Sequence, residues 1–156
     1  MIRVVIVLIL LSASLAVAAE SRPIAFSRTE PEFQRFIQSL KRAVAVKDAP
    51  FIYAQLASDY YIDRDFGGSF DASATPIKNF SFTFQFDNAE LRPEYKNHGW
   101  REFRTALSGK SLEKKKDGQL CMPHGALDVK PVPESQLCFR KTAGRWQIQG
   151  QINGGD

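Results

Sequence analysis

Hydrophobic and polar residues alternate along two short runs near the end of the chain, and this period of two is typical of β-strands with one buried face. The apolar face of the two runs consists of Leu137, Phe139, Trp146, Ile148 and Ile152. The polar face consists of Gln136, Cys138, Arg140, Gln147, Gln149 and Gln151. Gly144 lies between the runs and supplies the positive φ that a tight connection needs. The pattern predicts a C-terminal β-hairpin whose glutamine-rich face lies outside the core.

A helical period marks the first part of the chain. The apolar residues that recur at this spacing are Phe33, Phe36, Ile37, Leu40 and Val44. Thr29 is the predicted N-cap, with Glu32 completing a capping box and Pro31 at the start of the helix, where its missing N–H is tolerated. A second short helix is predicted over residues 50–57, where Asp48 precedes Pro50 in the same cap-and-proline arrangement.

The middle of the chain mixes strand and helix signals. Residues 60–62 (Tyr-Tyr-Ile) have the composition of a strand. Phenylalanine occupies every second position from 80 to 86, which predicts a strand with one aromatic face over residues 79–87. The alternative is a helix through Ile77, Phe80 and Phe84, but this helix would place Phe82 and Phe86 on other faces, so the strand is preferred.

A further amphipathic helix is indicated by Trp100, Phe103 and Leu107, which recur at helical spacing, with Gly109 ending it. Taken together, the elements predict an α+β fold. N-terminal helices pack on a curved, mainly antiparallel sheet that is closed by the C-terminal hairpin.

The first 19 residues have the pattern of a secretory signal peptide. Arg3 is followed by an apolar run over residues 4–11 and by small residues over 16–19. This run is too short for a permanent membrane span. Cleavage after Ala19 leaves 137 of the 156 residues as a single α+β domain, residues 20–156. We expect a periplasmic or secreted protein, monomeric or homodimeric.

Composition limits the classes of function. Hydrophobic residues make up 44% of the chain, which argues against intrinsic disorder. A formal net charge of +4 is mild, so nucleic acid is not an expected partner. The lysine run at 114–116 could form a patch for an anionic partner, but an exposed loop tip explains it more simply, because acidic residues flank the run.

The two cysteines predict a Cys121–Cys138 disulfide, which suits an oxidising compartment. Because Cys138 falls on the polar face of the hairpin, the bridge would tie a loop across the outside of the sheet. The alternatives are two free thiols, or a site formed by Cys121 and His124. The disulfide excludes that site because it removes the thiolate.

Other candidate chemistry is sparse. Residues 63–74 superficially resemble a calcium loop, but Ala74 stands where the bidentate glutamate is needed, so no metal or cofactor is expected. Neither a nucleophile elbow nor a phosphate-binding loop occurs. An acid–base site could draw on Asp59, Tyr60, Tyr61, Asp63 or His124, which the sequence alone does not bring together.

The order of elements resembles the nuclear transport factor 2-like (SnoaL-like) superfamily. This resemblance rests on the leading helix, the break at 47–48, the strand at 60–62 and the closing segments at 139–141 and 144–148. It implies a curved sheet wrapped on helices with a pocket at the open end, but no particular activity. Three other stretches, at 66–68, 99–100 and 121–123, are similar to exported bacterial proteins of uncharacterised function.

The preferred hypothesis is that the chain is a small exported binding protein for an apolar small molecule or a protein partner. The aromatic content of the chain motivates this hypothesis. The predicted pocket residues are Phe82, Phe84, Trp100 and Trp146. The alternative is a hydratase-, isomerase- or cyclase-type enzyme that uses a buried Asp–Tyr or Asp–His pair. A third possibility is a purely protein-interacting factor, such as an inhibitor, which would present an exposed apolar patch.

Overall fold

The computed structural model describes residues 22–64, 74–86, 97–124 and 135–153. The helices in these ranges are α1 (Pro31–Ala45), α2 (Ala49–Tyr53), α3 (Pro76–Thr83) and α4 (His98–Ala106), with a short 3₁₀ turn at Phe26–Arg28. The strands are β1 (Ile24–Ala25), β2 (Leu56–Arg64), β3 (Ser111–Lys114), β4 (Leu120–Met122), β5 (Ser135–Thr142) and β6 (Arg145–Asn153). The predicted signal peptide and most of the calcium-like segment lie outside the described residues.

The strands form one sheet in the order β1-β3-β4-β5-β6-β2. Strand β2 runs parallel to β6, and the other neighbouring pairs are antiparallel. The predicted α+β class and the C-terminal hairpin are confirmed. Thr142 pairs with Arg145, so the β5–β6 loop has two residues, Ala143 with φ 49° and Gly144 with φ 78°. Positive φ at both positions is the requirement of a type I′ turn, which twists with the strands.

Helix α1 packs its apolar face against the sheet as predicted. Phe33 and Ile37 are fully buried, and the Phe33 ring meets Phe139 of β5 at a centroid distance of 5.6 Å. The predicted cap at Thr29 is wrong: Glu30 is the N-cap residue, without a side-chain cap bond, and Thr29 Oγ1 donates to the Phe26 carbonyl at 2.7 Å. The hydroxyl closes the preceding 3₁₀ turn, so it is not available to the helix.

Helix α2 is shorter than predicted. Asp48 caps it as expected, since its Oδ1 accepts from the Phe51 amide at 3.0 Å. The helix ends at Tyr53, because β2 already begins at Leu56 and pairs with β6. The strand predicted at 60–62 is confirmed within β2, where Tyr60 and Ile62 face the core.

The strand predicted over 79–87 is wrong, because its first part belongs to helix α3. Thr75 Oγ1 accepts from the Lys78 amide at 3.3 Å, and Pro76 follows at the start of the helix. Phe80 and Phe84, four residues apart, are both fully buried, whereas Phe82 is 62% exposed. The cap-and-proline start therefore outweighs the alternation of phenylalanines.

A β-bulge changes the predicted faces of β6. Phe139 pairs with Ile148 and Cys138 with Gly150, so Gln149 is the extra residue. Beyond the bulge the faces exchange. Gln151 pairs with the buried Leu137 and is itself fully buried, while Ile152 pairs with Gln136 on the opposite face. The predicted faces are therefore wrong for Gln151, which is in the core, for Ile152, which is on the other face, and for Gln149, which is also buried.

In the part of the chain that the structure describes, no helix has the length and apolar character needed to cross a bilayer.

Candidate ligand-binding groove

Two of the predicted pocket residues lie in one aromatic cluster within the core. Trp100 is stacked on Phe86 with a centroid distance of 3.8 Å and an interplanar angle of 10°, and its Nε1 donates to the Phe86 carbonyl at 3.0 Å. Phe84 meets the same Phe86 ring at 6.2 Å. These side chains fill the space between α3 and α4, and Phe103 packs against both Phe84 and Phe86.

The other two predicted pocket residues lie elsewhere. Trp146 is half-buried, meets Phe33 at 4.7 Å and donates through Nε1 to Glu30 Oε1 at 2.6 Å. Phe82 lies on the exposed side of α3. The structure therefore does not bring the four residues together, and their role in binding stays a prediction.

The predicted disulfide is present between Cys121 of β4 and Cys138 of β5. These residues are direct partners across two adjacent strands, and both are fully buried. The bridge thus joins neighbouring strands, and the expectation that it ties a loop across the outside of the sheet is wrong. Because Cys121 carries no thiolate, a Cys121–His124 site is excluded.

A surface groove lies along the outer face of α1, on the side away from the core. Its volume is about 480 Å³. The residues that line it are Phe26, Pro31, Gln34, Arg35, Gln38 and Arg42. Steps of three or four connect the helix residues, from 31 to 34 or 35 and then to 38 and 42, so they form one continuous stripe along α1. Phe26 comes from the 3₁₀ turn and forms the opposing wall.

Hydrogen bonds hold the 3₁₀ turn beside α1. Gln34 Nε2 donates to the carbonyls of Thr29 at 2.8 Å and Ser27 at 3.3 Å. The Phe26 amide donates to the Lys110 carbonyl at 2.8 Å, which continues the β1–β3 pairing. The segment from β1 to the 3₁₀ turn is thus held in place and shapes the groove.

The groove is positively charged. Arg35 and Arg42 are exposed along its helical wall, and Lys41 Nζ lies 5.5 Å from the centroid of the Phe26 ring. Partial burial lowers the pKa of Lys41. The carboxylates of Glu30 and Glu32 at the start of α1 do not line the groove, because both contact Lys141 at the hairpin. The lining residues therefore include two cations and no acid.

Two tyrosine–glutamine networks lie on opposite faces of β2. In the core, Tyr60 donates to Gln151 Oε1 at 2.7 Å, and Gln151 Nε2 donates to Thr83 Oγ1 at 2.5 Å. On the other face, Tyr61 donates to Gln119 Oε1 at 2.9 Å. Burial raises the pKa of both tyrosines, that of Tyr60 most strongly. Both hydroxyls are therefore protonated at neutral pH and act as donors.

Of the other acid–base candidates, Asp59 and Asp63 lie on the same face of β2 as Tyr61. After burial and Asp117, the charge of Asp63 also raises the pKa of Tyr61. Asp59 forms an ion pair with Arg140 at 2.8 Å, and hydrogen bonding by Gln149 and then Arg140 lowers the pKa of this carboxyl. Asp63 is exposed, and His124 is half-buried. Within the described ranges, the hydroxyls of Tyr60 and Tyr61 donate to glutamine side chains. No group of three potential metal ligands occurs among these residues.

No family model, curated protein or solved structure matches this chain. The groove residues were not predicted from the sequence, because the prediction of α1 rests on its apolar face and the groove lies along the opposite face. The recurrence of Arg35, Gln38 and Arg42 at helical spacing was the available signal, but their convergence on Phe26 depends on the position of the 3₁₀ turn.

Proposed function

We propose that this protein is a small exported binding protein whose ligand is a small molecule held in the groove along α1. The groove is the observation that carries this proposal. Its volume of about 480 Å³ falls in the range of ligand sites. Phe26 and Pro31 offer apolar surface, while Gln38 and two arginines offer hydrogen-bond donors. This combination of apolar area with a few polar groups suits an amphipathic ligand.

Export is the second part of the proposal. The first 19 residues have the pattern of a cleavable leader, and the Cys121–Cys138 bridge suits a periplasmic or extracellular space. We also propose a relationship to the nuclear transport factor 2-like superfamily. Helices packed on one face of a largely antiparallel sheet support this relationship.

Native mass spectrometry tests the proposal on protein purified from the exported fraction of its own host. We expect a chain that lacks the leader, with a mass two hydrogens below the reduced form. We also expect an additional non-covalent mass from a retained ligand. Gln38→Trp places a large side chain in the groove and should abolish that additional mass.

Arg104→Trp is the matched control, because Arg104 is an exposed residue of α4 that does not line the groove. This variant should retain the ligand. If both tryptophan variants retain it, the ligand binds elsewhere and the groove is not the site. If the natural protein carries another protein chain in place of a small molecule, the small-molecule proposal is wrong and the ligand is a protein partner.

A further inference from the structure

We infer that the ligand of the groove is an amphipathic anion, a molecule with an apolar chain or ring and a carboxylate, sulfate or phosphate group. This inference rests on the proposed function and specifies the chemistry of the ligand. It follows from the charges that line the groove, from the absence of acids among the lining residues, and from the apolar wall that faces those charges.

The two arginines lie on one side of the groove in a regular arrangement. Arg35 and Arg42 are seven residues apart, which is close to two helical turns, so their backbones are separated by roughly 10 Å along the axis. Gln38 lies between them on the same stripe. A guanidinium group presents several N–H donors in a planar fork that matches the oxygens of a carboxylate or phosphate. The helical wall is thus a ladder of donors suited to anionic oxygens.

The charge of this wall is not neutralised within the groove. The nearest acids along α1, Glu30 and Glu32, are held by Lys141, and Glu30 also accepts from Trp146. Those contacts direct both carboxylates toward the hairpin. A ligand anion would therefore meet Arg35 and Arg42 without competition from an acidic side chain of the lining.

The opposing wall favours an apolar portion of the ligand. The ring of Phe26 is half-buried, and the Gln34 side chain fixes the turn that carries it. Lys41 Nζ lies 5.5 Å from the centroid of this ring, so its positive charge adds to the electrostatic potential near the groove. A ligand with its chain on Phe26 and its anionic group toward the arginines satisfies both walls.

The test compares three straight-chain probes that share one alkyl chain: decanoate, decanol and decyltrimethylammonium. Each is titrated into the isotopically labelled exported protein, the two ionic probes below their micelle concentrations and decanol below its solubility limit. Amide NMR signals report the site and the affinity. We expect decanoate to shift the signals of groove residues and to bind roughly three- to tenfold more tightly than decanol, because two exposed ion pairs contribute modestly. The cationic probe should bind most weakly.

Matched variants assign the effect to the arginines. The double variant Arg35→Gln, Arg42→Gln should reduce the ratio of the decanoate affinity to the decanol affinity to about one. Arg104→Gln removes one positive charge from α4 and should leave the preference intact.

The outcomes separate the inference from the proposed function. If decanol and decanoate bind the groove equally, the anionic inference is wrong and the binding function stands. If none of the three probes shifts the groove signals, both are overturned.

Discussion

Gln151 is a fully buried amide whose two ends are both used. Its carbonyl accepts from Tyr60 and its amide nitrogen donates to Thr83, so one side chain joins β6 to β2 and to α3. Such a group stabilises a core only while its partners remain satisfied. Tyr60 is only 3% exposed. Replacing Gln151 by an apolar residue therefore leaves a buried Tyr60 hydroxyl without this acceptor.

Gln151→Leu should lower the free energy of unfolding by about 1–3 kcal/mol, the cost of a buried donor left unsatisfied. Urea denaturation measures this change. The double variant Tyr60→Phe, Gln151→Leu should be closer to the natural protein than Gln151→Leu alone, because the buried Tyr60 hydroxyl that lost its acceptor is then removed as well. Equal stability of Gln151→Leu and the natural protein would contradict a stabilising role for the amide.

Gly150 provides room for the ring of Tyr61. A Cβ atom added at Gly150 would lie 2.6 Å from Tyr61 Cε1 and 2.7 Å from two further ring carbons. Gly150→Ala should therefore displace the ring, disturb its bond to Gln119 and cost about 1–3 kcal/mol in urea denaturation. In a Tyr61→Ala background the same substitution should cost much less. An unchanged cost in that background would show that the ring is not the cause.

Elements are joined by polar contacts at the junction of α1 with the β5–β6 hairpin. Glu30 accepts from Trp146 Nε1 at 2.6 Å and from Lys141 at 3.1 Å, and Lys141 also bonds Glu32. Hydrogen bonding by Trp146, followed by Lys141, lowers the pKa of Glu30. The contacts with Glu32 and Glu30 raise the pKa of Lys141. These shifts make the junction sensitive to pH.

The direction of the pH dependence follows from the shifts. The contribution of Glu30 to stability is present above the ordinary glutamate pKa of 4.5 and is lost as the pH falls through the lower folded value. The contribution of Lys141 is present below 10.5 and is lost as the pH rises through its higher folded value. Glu30→Gln should therefore lose stability relative to the natural protein near neutral pH, and this difference should shrink in acid.

Urea denaturation over a series of acidic pH values measures that difference. Glu102→Gln, a carboxamide substitution on α4, controls for the loss of one negative charge. A difference between Glu30→Gln and the natural protein that stays constant as the pH falls would mean that ionisation of Glu30 does not support the junction.

The elements differ in how far the sequence predicted them. Helix α1 and the β5–β6 hairpin were predictable, because each buries one face and its apolar period is local information. Helix α3 was not, because alternate phenylalanines at 80–86 match a strand and the deciding signals were Thr75 and Pro76 before them. The burial of Gln151 could not be predicted either, because a bulge at Gln149 shifts the alternation of inward and outward side chains along β6 by one residue.

At the scale of the whole molecule, the local patterns together predicted the fold class, but they did not predict the groove. Its helical wall is visible as the polar stripe of α1, but its apolar wall depends on Phe26. That residue is placed by the β1–β3 pairing and by the Gln34 contacts. Such contacts between distant segments are not encoded in a residue period, so they required the structure.

The disulfide constrains the unfolded chain as a whole. Cys121 and Cys138 are 17 positions apart, and closing a loop of this size contributes about 3 kcal/mol in the chain-entropy model. Guanidinium denaturation of the oxidised and the reduced natural protein should differ by roughly that amount. The two forms share one sequence, so no mutation complicates the comparison. Equal free energies of unfolding for the two forms would show that the bridge does not stabilise the protein.

The parallel pairing of β2 with β6 has a consequence for the order in which the chain can fold. Tyr60 and Gln151 are 91 positions apart, and Glu30 and Trp146 are 116 apart. A ribosome that has synthesised α1, α2 and β2 has made a strand whose partner does not yet exist. Contacts of such long range form slowly. The pairing of β2 with β6 can therefore form only after residues 145–153 have been synthesised.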